Sequence, residues 1–335
     1  MMSAEHPFAQ YIRILGKGKN GSRALTQEEA FIAMKMILAD EVEPMQLGAF
    51  LMLMRVKEET PEELAGFVKA ARASLKLPAQ LPKVDLDWSS YAGKRRQLPW
   101  FLLSALLLAS SGIRVIMHGI GGRKDDRVYT PEALSALGFK SCESLEEAAQ
   151  EVEGRNFAFI HLKDFSPKLD EIIELRPILG LRSPVHTLSR MVNPFDAPAM
   201  LQGIFHPGYQ DTHQATAVLL NQPHVAVLKG DGGEIERNPD AECLVKTVHN
   251  GIMGEEIWPP MFSGQRHLRD ETMDIARLTQ LWNGDIEDEY GHAAVIGTAA
   301  IALKLMGKAD SIESALSLAT KLWDGRSVAW LKAAA

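Results

Sequence analysis

Cysteine is scarce: the 335 residues include only two, Cys142 and Cys243. Two thiols cannot staple a chain of this length, so a disulfide framework is excluded and a reducing compartment is expected. Long apolar runs are also missing. The longest stretch, Leu98 to Ala109, is too short to cross a bilayer. No basic-then-apolar pattern opens the chain, so residues 1–10 do not read as a secretory leader. A cytoplasmic location with no membrane partner is expected. Surplus positive charge is lacking as well. The net charge of −7 excludes bulk attraction to polyanions and leaves only local clusters to bind them. What is present, 46% hydrophobic and 24% charged residues, suits a globular protein long enough for two structural units.

Residues 11 to 76 read as helical. Tyr11, Ile12 and Leu15 form a stripe ending at Gly16. Thr26 with Glu29, and Thr60 with Glu63, have the spacing of capping boxes. Ala30, Met34, Ile37 and Leu38 share one helical face, and Pro44 opens the next helix at a first-turn position. The Met-rich helices at 34–54 read as core or a subunit interface. Lys76 to Lys83 is a proline-containing connection.

From residue 84 the pattern changes to short strands alternating with helices. Strands are expected at Val84–Leu86, Arg114–Met117, Ala158–His161, Val225–Lys229 and Leu244–Val248. Helices are expected at 98–110, 131–137, 144–152, 167–179 and 211–221, with closing helices from Ala293 to Lys332. This alternation is the grammar of an α/β domain with a central mixed or parallel sheet flanked by helices.

The segment Ser89 to Gln97 carries Lys94, Arg95 and Arg96 and runs straight into an apolar helix. A loop feeding a helix N-terminus points unpaired N–H groups outward and attracts anions. A second cluster, Arg13, Lys17, Lys19 and Arg23, surrounds a Gly-rich loop. Either cluster can equally be a solvated loop. His206 and His213 lack the close spacing of a metal site.

The run from Leu25 to Arg72 closely resembles the small helical domain of anthranilate phosphoribosyltransferases. Further matches are MHGIGG (Met117–Gly122), PEALSALGF (Pro131–Phe139), LRPILGLRS (Leu175–Ser183), NPFDAP (Asn193–Pro198) and LKGDGGEIE (Leu228–Glu236). They recur in order over nearly the whole chain. The resemblance implies a small N-terminal helical domain, residues 1–76 with about 166–190, that makes a homodimer. It also implies a larger α/β domain, residues 84–165 and 191–335, with the active site in the cleft between them.

The same resemblance shows departures. The family's Gly-Thr-Gly-Gly-Asp turn falls on Ser90-Tyr91-Ala92-Gly93-Lys94, so only Gly93 survives of its glycines and the acid becomes Lys94. Lys-His-Gly-Asn becomes Met117-His118-Gly119-Ile120, which keeps His118 and Gly119. The magnesium pair falls on Glu234-Ile235, with Glu236 one place displaced, so Glu234 and Glu236 are the candidate metal carboxylates. Arg176 aligns with the arginine that holds the aromatic acid's carboxylate, and Arg190 adds a cation further on.

These losses argue against phosphoribosyl transfer to anthranilate, and they leave open whether the chain is an enzyme. The cleft segments instead gain or keep cations: Lys94, Arg95, Arg96, Arg123, Lys124, Arg127, Arg176, Arg182 and Arg190. Tyr91 and Trp100 flank the first cluster as candidate stacking groups. The resemblance extends to a divergent branch of the family associated with nucleic acid. The expectation is therefore a homodimer that holds DNA or RNA without sequence preference in a basic groove, with no cofactor. The alternative is a glycosyl- or phosphoribosyltransferase using Mg2+ and an acceptor other than anthranilate.

Overall fold

The computed structural model describes residues 4–122, 126–264 and 269–334. The chain opens with helices α1 (Ala9–Gly16), α2 (Gln27–Leu38), α3 (Pro44–Lys57) and α4 (Pro61–Ala73). Thr26 and Thr60 close their capping boxes with Glu29 and Glu63. Glu63 is wholly buried and also binds outside its own helix. Its carboxylate accepts from Leu25 N at 2.8 Å and Lys57 Nζ at 2.6 Å.

The α/β part runs β1 (Leu86–Ser90), α5 (Phe101–Ser110), β2 (Val115–Gly119), α6 (Thr130–Ala136), α7 (Leu145–Arg155) and β3 (Phe157–His161). Short helices α8 (Leu162–Phe165), α9 (Pro167–Glu174), α10 (Arg176–Leu179) and α11 (Val185–Leu188) follow. Then come β4 (Ala199–Ile204), α12 (Tyr209–Leu219), β5 (His224–Lys229), β6 (Cys243–His249) and β7 (Ile252–Trp258). Helices α13 (Ala276–Asn283), α14 (Glu289–Leu305), α15 (Ile312–Asp324) and α16 (Val328–Ala334) close the chain.

The strands form one mixed sheet in the order β3-β2-β1-β4-β5-β6-β7. The pairs from β3 through β5 are parallel; β6 and β7 add antiparallel. The expected fold class, a small helical domain plus a larger α/β domain with a mixed sheet, is what the chain adopts. One face of the sheet packs on α5 and α14, which are apolar almost all round and hence buried. The other face shares a core with α1–α4, α7 and α9, including Leu169, Ile172, Val185 and Leu188. Among the described residues no helix is long and apolar enough to cross a membrane.

Some expected boundaries differ. The strand expected at Val84–Leu86 instead begins at Leu86 and runs to Ser90. Asp87, Ser89 and Ser90 are polar yet buried, so apolar patterning ends too early there. Strands β4 and β7 were not expected. The β4 sequence interrupts its apolar residues with Gln202 and Gly203, and β7 is a mostly exposed edge strand.

Helix α12 is tied to β4 by His213, whose Nδ1 lies 2.9 Å from Gln202 Oε1. Burial first, then Arg190, pushes this imidazole down to about 3. An unfolded histidine titrates near ~6.5. Between the two values the unfolded chain holds a proton that the native chain refuses, so stability is full above ~6.5 and declines as pH falls toward 3. We predict that His213→Gln flattens the loss of melting temperature between pH 6.5 and pH 4, measured by calorimetry. An unchanged slope would show that other groups govern acid sensitivity.

Candidate active-site cleft

Strand β1 has β2 on one side and β4 on the other, so the chain leaves its C-terminal end toward one side and returns on the other. Crevices form outside the strand ends at such a switch point. Here the crevice receives the turn after β1 (Tyr91–Gly93), Ile120 after β2, Phe205 after β4 and the loop after β5 (Gly230–Glu236). Helices α9 to α11 and the 3-10 turn Ser189–Met191 wall it from the helical side.

The turn after β1 depends on its one glycine. Gly93 keeps φ at +67°, and a Cβ there would lie 2.9 Å from the Tyr129 ring. Gly119 is enforced by contact: a Cβ would stand 1.8 Å from Ser90 O. The amides of Ala92 and Gly93 point into the loop after β5 and both donate to Glu234 Oε1, at 2.6 and 2.7 Å. Lys94 Nζ donates to Glu236 Oε1 at 2.5 Å, and Phe101 N, the first residue of α5, donates to Glu236 Oε2 at 2.8 Å. Carboxylates of the chain thus occupy both the turn and the helix N-terminus.

This arrangement corrects the expected basic patch. Lys94 is 1% exposed and ion-paired, whereas Arg95 and Arg96 are exposed and line a separate cavity with Asp126 and Arg269. Trp100 is fully buried under Arg277 and Tyr91 is buried beneath Arg190, so neither ring is free to stack on a base. Arg23 is bidentate to Glu29, at 2.6 and 2.7 Å. Lys17 and Lys19 are exposed on the loop after α1. Arg123 and Lys124 lie outside the described residues.

His118 is a buried packing histidine: Tyr91 Oη lies 2.7 Å from its Nδ1, and Asp87 Oδ1 lies 3.3 Å from its Nε2. It pins Tyr91, and the Arg190 guanidinium sits 5.5 Å from the centroid of that ring.

The cations that do converge are arginines. A cavity of about 390 Å³ is lined by Tyr91, Ala92, Arg127, Tyr129, Arg176 and Arg182. A smaller neighbour of about 110 Å³ adds Arg55, Glu59, His186, Arg190, His206 and Tyr209. Arg127 Nη1 donates to Ala92 O at 2.7 Å, so it buttresses the turn from outside. Arg190 Nη1 and Arg127 Nε have no hydrogen-bond partner among the described residues. Burial, then Arg190, Arg176 and Arg127, lowers Arg182 to about 10. Burial and then Arg182 push His186 down to about 3, so it is neutral near pH 7. Such a convergence of guanidinium groups, Arg190 buried and the others half-buried, favours an anion in the cleft.

The magnesium carboxylates do not fit that ion. Both oxygens of Glu236 are taken, Ile235 is apolar, and Glu234 is held by two amides. Among the described residues no cluster of three or more candidate metal ligands exists, whereas magnesium requires a near-octahedral oxygen shell.

Arg55, Glu59 and Tyr209 were missed from the sequence, because α3, the loop before α4 and α12 meet only in the fold. Glu59 Oε2 is buried without a partner among the described residues, and burial raises its carboxyl pKa.

Comparison with known proteins matches both parts of the chain. The helical bundle domain of a glycosyl transferase family covers residues 9–75, and that family's α/β domain covers residues 101–326. An uncharacterized protein of Aquifex aeolicus is 30% identical over 313 residues, covering 90% of this chain and 94% of its own. The anthranilate phosphoribosyltransferase of Beijerinckia indica is 28% identical, covering 94% and 93%. Among solved structures, anthranilate phosphoribosyltransferase from Thermus thermophilus superposes with a TM-score of 0.80 at 22% identity, over 98% of this chain and 97% of that one. The Saccharomyces cerevisiae enzyme in complex with PRPP and Mg gives 0.78 at 16%, over 97% and 96%.

These matches overturn the reading as a nucleic-acid-binding protein. The family models and the characterised relatives are transferases, and the lysine on which that reading turned is in an internal ion pair. Removing one partner of a buried pair strands the other charge, at a cost of about 3 to 5 kcal/mol. We predict a loss of that order in urea unfolding for Lys94→Ala, against less than ~0.5 kcal/mol for Arg95→Ala or Arg96→Ala. Equal effects would mean that the three cations share one environment.

Proposed function

We propose that this chain, which belongs to the glycosyl transferase family that joins a helical bundle to an α/β domain, transfers a glycosyl group from a phosphorylated sugar to an acceptor other than anthranilate. The observation that carries this reading is the convergence of Arg127, Arg176, Arg182 and Arg190 on one cleft at the switch point of the sheet. In such a transfer the acceptor's lone pair attacks the anomeric carbon. The bond from that carbon to a phosphate oxygen breaks, the electron pair leaves with the phosphate, and the acceptor's N–H or O–H proton is released to solvent. Negative charge therefore builds on the leaving group, where fixed guanidinium groups stabilise it most. The arginines do here what a bridging cation does elsewhere, since the carboxylates at 234 and 236 are committed to the turn and to α5.

The acceptor side supports a different partner. Glu59 puts a carboxylate oxygen without a partner among the described residues into the wall of the smaller cavity. It disfavours a second carboxylate and favours an acceptor offering an N–H or O–H group. The strongly exposed Met45 and Val56 of α3, at 86% and 83%, support a homodimer through the helical unit.

Calorimetry with 5-phosphoribosyl pyrophosphate tests the reading. Binding is expected equally with magnesium and with EDTA, and Arg182→Ala is expected to weaken it by about tenfold or more. No binding at millimolar donor, or binding only with magnesium, would refute it.

A further inference from the structure

The strongest anion site in an α/β crevice is the backbone turn beyond the first strand, because its amides are fixed and need no reorganisation. In this chain that site exists and is full. Glu234 Oε1 takes the Ala92 and Gly93 amides at 2.6 and 2.7 Å, in the range of charge-assisted bonds. The carboxylate is completely buried and its other oxygen, Oε2, has no partner among the described residues. A buried carboxylate that uses one oxygen and leaves the other idle is not optimised for structure alone. Beside it Arg190, also buried, leaves Nη1 idle, and Glu234 is the opposite charge that acts on it most.

We propose that Glu234 is a tethered occupant of an oxyanion seat: it closes the Ala92–Gly93 turn to phosphate, and the seat opens only when this carboxylate withdraws from the amides. The occluded ligand class is a phosphate or pyrophosphate oxyanion, which presents the same acceptor geometry as the carboxylate. The loop carrying Glu234 is built to hold it there. Gly230 lies so close to the neighbouring backbone that a Cβ there would meet Glu234 O at 1.6 Å, and Gly233 holds φ at +96°, where a side chain is strained. Glu236, two residues on, anchors the same loop to Lys94 and to the start of α5. Closure is thus local to residue 234, while the loop around it stays pinned. The proposal rests on the transferase reading only for the identity of the anion; Arg127, Arg176 and Arg182 line an open cavity beside the turn.

Inorganic pyrophosphate is the probe, followed by calorimetry and by the amide resonances of Ala92 and Gly93 in labelled protein. In the natural sequence, pyrophosphate is expected to leave both resonances in place. In Glu234→Ala it is expected to move them saturably and to bind about tenfold tighter or more. Glu234→Gln, which keeps the size and loses the charge, is expected to tighten binding by a smaller factor; it serves if the alanine variant does not fold. Resonances that move in the natural sequence, or folded variants that neither tighten nor shift, would overturn the proposal. If the natural sequence binds no pyrophosphate at all, the transferase reading fails. A gain of binding at Gly93 in Glu234→Ala would still establish the plug.

Discussion

Two carboxylates of one loop take up the free backbone amides at the end of β1 and the start of α5. The end of β1 and the start of α5 together present backbone amides that want an anion. Glu234 satisfies the turn and Glu236 satisfies the helix, and Lys94 balances the second of them. The consequences extend well beyond the loop. The pairing draws Lys94 inward, separates it from Arg95 and Arg96, and ties β1 to the loop after β5 across the intervening β4. It also engages the acids on which metal binding would depend.

Once the turn is neutralised from within, the cations that remain in the cleft are arginines, with Glu59 and Glu174 in its walls. Arg127 braces the turn through its carbonyls, and Arg190 lies over Tyr91, which His118 and Asp87 hold from below. Arg176 and Arg182 come from the segment between β3 and β4. Arg127 precedes α6, Arg176 opens α10, Arg182 lies between α10 and α11, and Arg190 is in the 3-10 turn, so only the fold brings the four together. Guanidinium suits such a crowded cleft because it keeps its proton even at the lowered value reached by Arg182, where a lysine would surrender it more readily.

Much of the fold could be read directly from the chain. Thr26 and Thr60 with their glutamates marked helix starts, and the apolar run of α5 marked a helix buried on all sides. Strands β2, β3, β5 and β6 had the required β-rich composition. What misled was polarity inside the core. Asp87, Ser90 and Gln202 sit in buried strands beside His118, Thr130 and His213, with Ser89 buried among them, and no local pattern shows that.

The site was harder to read for a related reason. Lys94 and Glu236 are separated by 142 positions, so their charges look independent along the chain and cancel only in space. A run of cations reads as an outward field, yet its sign at the surface depends on what folds against it. Charge at such a position is therefore a property of the pair, and a motif scored on either half alone misreads it.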